Sequence, residues 1–124
     1  MFLKVAFTMY PVRDGARARK FYEETLGFTR GSDSGEDATW TEYDMPGGGC
    51  LALWQTDRME PSADAGGSIA FEVSDLDALL ERLRAEGVAF DGDIIQSPVC
   101  RMAVILDPDG NSLILHQLHP AHAT

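Results

Sequence analysis

Two side chains able to move protons stand on segments of strand character. Glu72 lies in Ser68-Ile69-Ala70-Phe71-Glu72-Val73, and His116 lies in the run Ser112–Leu118. Strand side chains alternate between faces, so Ile69, Phe71 and Val73 share one side and Ser68, Ala70 and Glu72 the other. A carboxylate set in a partly dry pocket has its pKa raised by desolvation and becomes a general base. The plainer role for Glu72 is an exposed strand-end residue or a partner for Arg101. His116 has the chemistry of a proton shuttle or a hydrogen-bond donor to a ligand; otherwise it is a strand-end histidine with one satisfied nitrogen. Arg101 suits an anionic ligand group or a nearby carboxylate. Cys100 becomes a nucleophile only if a neighbouring cation acidifies it, and a buried strand cysteine is otherwise inert.

A second set suits binding rather than proton transfer. Trp40, Trp54, Tyr10, Tyr43, Met9 and Met102 could line an apolar pocket that stacks a planar ligand, or serve as ordinary core. Glu42, inside Trp40-Thr41-Glu42-Tyr43-Asp44, is a charge in what reads as a central strand. That is an unusual place for an unpaired carboxylate.

The elements that must position these residues come from a weak internal duplication. The first copy runs from Val5 through Asp14 and a helical stretch to Leu26-Gly27-Phe28; the second runs from Ser68 through Asp75 to Glu86-Gly87-Val88. Each has a strand, an Asp suited to capping a helix, about three helical turns, and a Gly suited to the left-handed stop. Leu76, Leu79, Leu80 and Leu83 make one apolar stripe in the second helix, with Ala18, Phe21, Tyr22 and Leu26 comparable in the first. Further strands are expected near 28–31, 39–44, 50–55, 88–95, 99–106 and 112–118. Turns at Met45-Pro46-Gly47-Gly48-Gly49 and Asp107-Pro108-Asp109-Gly110-Asn111 separate pairs of them. The fold class is therefore α+β, two tandem βαβββ modules over 1–55 and 68–119 within one domain of 124 residues. Residues 56–67 form the linker. The mixed sheets should curl around a shared cleft, the natural ligand site.

Composition narrows the partners. Twenty acidic against ten basic residues give a net charge of −10, which repels polyanions and disfavours nucleic acid, while suiting a cationic ligand. No run of 18 apolar residues crosses a membrane. Met1 to Tyr10 contains Lys4 and no small-residue cleavage site, and reads as a first strand rather than a signal peptide. Cys50 and Cys100 are expected as free thiols in a cytoplasmic chain. His119 and His122 fall in a tail expected to fray.

Asp14, then Phe21-Tyr22, then Leu26-Gly27-Phe28, with the turn Asp107-Pro108-Asp109-Gly110-Asn111, resembles the pattern of the vicinal-oxygen-chelate superfamily. That group includes glyoxalase I, extradiol dioxygenases, epimerases, fosfomycin thiol transferases and bleomycin-resistance proteins, so fold alone does not settle chemistry. The resemblance places the four positions that hold a metal in metal-dependent members on Phe7, Ala52, Ser68 and Ile114. A slip of two residues would exchange Phe7 for Val5. None is a competent donor for a divalent cation, Ser68 being marginal. A relocated site would have to use His116 with Glu72 or Glu42. The expectation is therefore no metal and no cofactor. The resemblance further implies a homodimer and a small-molecule binder of the bleomycin-resistance type, its ligand met by Phe7, Met9, Trp40, Glu42, Trp54, Ser68, Arg101 and Met102. Two other readings stand beside it: a lyase, isomerase or dioxygenase in which Glu72 and His116 are catalytic, and a subunit or regulator without a small-molecule role.

Overall fold

Asp14 and Asp75 do the same local work in a computed structural model that describes residues 1, 3, 5–64 and 68–120. Each has extended backbone, and its Oδ1 accepts from the amide three residues on, Arg17 N at 3.0 Å and Ala78 N at 3.1 Å. Each satisfies an amide that the first helical turn leaves unpaired. The helices that follow are α1 (Gly15–Lys20) and α2 (Leu76–Ala85). α1 continues as a π-helical turn, Phe21–Thr25, whose wider spacing shows in Leu26 N donating to Phe21 O at 3.0 Å. Gly27 and Gly87, at φ of 82° and 76°, make the left-handed stops.

The chain divides into two compact units, Met1–Pro61 and Ser62–Thr124. Unit one holds β1 (Thr8–Val12), β2 (Arg30–Asp33), β3 (Trp40–Asp44) and β4 (Cys50–Gln55) in the order β1-β4-β3-β2. Unit two holds β5 (Ile69–Glu72), β6 (Ile95–Gln96), β7 (Cys100–Leu106) and β8 (Ser112–Leu118) in the order β5-β8-β7-β6. In each, the first strand pairs parallel to the last and the remaining pairs are antiparallel. The α+β architecture of two βαβββ modules is thus realised.

The first strand departs from expectation. It begins at Thr8 rather than Val5 and runs on through Pro11 to Val12. Proline is tolerated because β1 is the edge strand of its sheet. Thr56 N donates to Val12 O at 3.1 Å, so alternate residues Tyr10 and Val12 turn their backbone groups toward the sheet and Pro11 turns its own outward. The strand expected across 88–95 is mostly irregular, leaving the two-residue β6 and a bridge between Phe90 and Ile105. His119 is not frayed: its amide donates to Val99 O at 2.9 Å and its Nε2 lies 3.1 Å from Ser97 O. His122 and Lys4 lie outside the described residues.

Each helix covers one face of its own sheet. Leu76, Leu80 and Leu83 are fully buried, as are Ile105 and Leu113. The side chain of Gln117 accepts from Leu76 N at 2.8 Å, fixing which face of β8 meets α2. In unit one Tyr22 stacks on Tyr43 with centroids 5.9 Å apart, and Tyr10, Val12, Leu51 and Leu53 complete the core. Arg19, only 7% exposed, donates to Thr41 Oγ1 at 2.7 Å, to Gly35 O at 2.8 Å and to Trp40 O at 3.1 Å. Gly15 is required by contact: a Cβ there would meet Ala38 O at 1.9 Å. The loop before β3 is thereby clamped onto α1.

Candidate functional site

Tyr43 and Thr41 touch α1, and register carries that side across the sheet to Leu51, Leu53 and Tyr10. The alternate residues form the opposite face of unit one. Two rows cross three strands there: Pro11, Trp54 and Trp40 in one, and Met9, Ala52 and Glu42 in the next. Five residues singled out from sequence meet on or beside this face. Met9, Trp40, Glu42 and Trp54 stand on it, and the Phe7 ring meets Trp40 edge-on at 5.4 Å. Tyr10 and Tyr43 go to the helix side instead and are core. The Tyr43 hydroxyl donates to Glu23 Oε2 at 2.9 Å, and burial together with that carboxylate pushes its pKa well up.

Glu42 is anchored rather than loose. Trp40 Nε1 donates to its Oε2 at 2.8 Å, and Cys50 Sγ lies 3.9 Å from its Oε1. Burial, then the charges of Asp44 and Glu42, push the Cys50 thiol up, so the region is electrostatically negative. A hollow of about 300 Å³ adjoins it, lined by Val5, Asp44, Gly48 and Cys50 among others. Glu42, which reads from sequence as an unpaired charge in a central strand, is thus paired with the indole two residues before it. The clamp by Arg19 that seats Trp40 is not visible in the sequence, since Arg19 stands in the basic run Arg17-Ala18-Arg19-Lys20, which reads as a solvated face.

The corresponding face of unit two carries different chemistry. Its rows are Ala70, Ile114 and Val104, then Glu72, His116 and Met102. His116 Nδ1 lies 2.5 Å from Glu72 Oε1, and Glu72 Oε2 accepts from Leu118 N at 2.8 Å. Desolvation in a dry pocket would raise Glu72. The reverse holds: the Leu118 amide, above all, and His116 hold this half-exposed carboxylate below its ordinary range. Ser68 Oγ sits 3.4 Å from Ser112 Oγ. Arg101 turns to the other side, opposite Gln117, where its Nη2 meets Asp77 Oδ1 at 2.8 Å. It is therefore apart from the Glu72–His116 row and is committed to a carboxylate of α2. Cys100 is a buried free thiol beside Ser97, and Cys50 is also free.

The positions that a metal-binding relative would use carry a phenyl ring, a methyl group, a hydroxymethyl and a branched alkyl group at Phe7, Ala52, Ser68 and Ile114. This donor chemistry does not fit a divalent cation. Among the described residues no group of three or more His, Cys, Asp or Glu side chains is arranged to hold one. No helix among them is long and apolar enough to cross a membrane.

Comparison with known proteins places this architecture. Residues 4–115 match the model of the Glyoxalase/Bleomycin resistance protein/Dioxygenase superfamily, and the chain belongs to that superfamily. It is similar to the crystal structure of TnmS3, an antibiotic binding protein from Streptomyces sp. CB03234. The two are 33% identical with a TM-score of 0.77, over 95% of this chain and 98% of that one. It is 29% identical to the uncharacterized protein YetH of Bacillus subtilis (strain 168), over 86% of this chain and 91% of YetH. It is also 30% identical to the anthracycline biosynthesis protein DauV of Streptomyces sp. (strain C5), over 88% of this chain but only 39% of that longer protein.

Proposed function

We propose that this chain binds a flat, aromatic, cationic small molecule on the face of unit one turned away from α1, without help from a metal. The observation that carries the reading is the row Pro11–Trp54–Trp40 lying beside Glu42. Adjacent indoles offer stacking area, and Trp40 Nε1 holds the carboxylate in one orientation. A cation laid against that face gains from Glu42 and Asp44 and from the overall charge of −10. Two relatives support the ligand class, one an antibiotic binding protein and one an anthracycline biosynthesis protein. Anthracyclines combine a fused-ring chromophore with a sugar amine that is protonated at neutral pH. Val5 and Phe7, 76% and 44% exposed, support pairing of chains as a homodimer.

Calorimetric titration with an anthracycline and with its sugar-free aglycone tests the reading. Both should bind saturably, the charged glycoside more tightly. Trp54→Ala should weaken both by about tenfold, the equivalent of about 1.4 kcal/mol. Glu42→Gln should reduce the preference for the glycoside and leave aglycone binding unchanged. Absence of saturable heat with either compound would remove the proposal.

A further inference from the structure

Glu72 and His116 are direct cross-strand partners on β5 and β8. Both oxygens of the carboxylate are engaged, one by His116 Nδ1 and the other by Leu118 N. An ionised carboxylate only accepts, so Nδ1 carries the proton that faces it, and Nε2 is left with its lone pair. The His116 side chain retains 24% of its exposure. No described residue bonds Nε2, and the ring is surrounded on its face by Met102, Val104, Ile114 and Ala70. Among the described residues of unit two, Glu72 is the charged group that the register sets on this face beside His116. β7 contributes Cys100, Met102 and Val104 to it, the Cys100 thiol lying 3.3 Å from Ser97 Oγ; Arg101 is bound to Asp77 on the other face, and His119 is tied to Ser97 O. An oriented, partly exposed imidazole with one nitrogen held by a carboxylate and the other unbonded among the described residues is an arrangement for taking a proton.

We infer that this face of unit two is a proton-accepting site for an acidic hydroxyl, a phenol or an enol, with His116 as the acceptor and Glu72 as its positioning residue. The ligand O–H bond breaks, its electron pair stays on oxygen as a phenolate or enolate, and the proton forms the new Nε2–H bond. The imidazolium so formed keeps Nδ1–H directed at Glu72 Oε1, which stabilises its charge. The step runs in reverse without any co-reactant.

The test uses para-nitrophenol with the full chain, following the phenolate absorbance across pH at saturating protein, and para-nitrotoluene as a binding control that has no proton to give. Bound nitrophenol should show a phenolate-to-phenol ratio about tenfold above that of the free compound at the same pH, a shift of about one pH unit in its midpoint. His116→Asn and His116→Gln should both bind para-nitrotoluene normally and lose the gain. Glu72→Gln should retain para-nitrotoluene binding and show a smaller midpoint shift, which a purely structural role for Glu72 would leave unchanged. The inference is overturned if nitrophenol does not bind saturably, if its midpoint is the same bound and free, or if the shift survives in both His116 variants. Binding alone could also report the tryptophans of unit one; the midpoint shift and its loss in the His116 variants belong to unit two, so failure of that shift and failure of anthracycline binding are separate results.

Discussion

Three positions buried in both helical stretches correspond between the units, and the two units fill them in opposite ways. In α2 they are Leu76, Leu80 and Leu83; the corresponding residues of the first copy are Gly15, Arg19 and Tyr22. The leucines form a plain apolar seam. The other trio holds a loop: Gly15 admits the backbone of Ala38, Arg19 ties Gly35, Trp40 and Thr41, and Tyr22 stacks on Tyr43. The faces away from the helices differ in step. Trp54 and Trp40 in unit one occupy the places that His116 and Met102 take in unit two, and Pro11 stands where Glu72 does. On the two proposals above, one scaffold would offer stacking on one copy and proton exchange on the other; the polar clamp lies under the copy that carries the indoles.

The largest effect expected from breaking this contrast is in the leucine seam. Leu80→Ala should cost about 2–5 kcal/mol in urea unfolding, because a fully buried side chain leaves a cavity. Arg19→Met, the same position in the other copy, should cost about 2 kcal/mol by leaving the buried Thr41 hydroxyl without its donor and by removing one of the donors to the Gly35 and Trp40 carbonyls. Unlike Leu80→Ala, it should also change the fluorescence of Trp40. The smallest effect is in pH. Glu72 is depressed in the folded state, so its contribution is complete above the ordinary value of 4.5 and is lost as pH falls through the lower, folded one. Glu72→Gln should therefore be less stable than the parent at neutral pH by less than about 1 kcal/mol, solvent screening being strong there. The gap should close in acid unfolding profiles.

Much of the scaffold could be read from sequence because local chemistry and tertiary structure agree. β4 and β8 have the expected limits, both aspartate caps form, and the Asp107 side chain fastens its turn through the amides of Asp109 and Asn111, each at 2.9 Å. The errors arose where distant contacts decide. Alternation cannot reveal that α1 widens into a π turn, nor that Pro11 continues a strand at a sheet edge. The faces of Met9, Trp40, Glu42 and Trp54 needed the register of β1, β3 and β4. Arg101 could not be separated from the other candidates until Gln117 showed which side of β7 meets α2. The pKa of Glu72 depended on the Leu118 amide, 46 residues away in the chain.

The proline in β1 has a consequence for what this molecule refuses. An incoming extended peptide would need donors along the outer margin of that strand, and Pro11 has no N–H to give there. At the matching place on β5 the residue is Glu72, whose amide is intact. Recruitment into a growing ribbon of chains is thus discouraged at the β1 edge of the first sheet by a ring closure, while the β5 edge of the second keeps its rung.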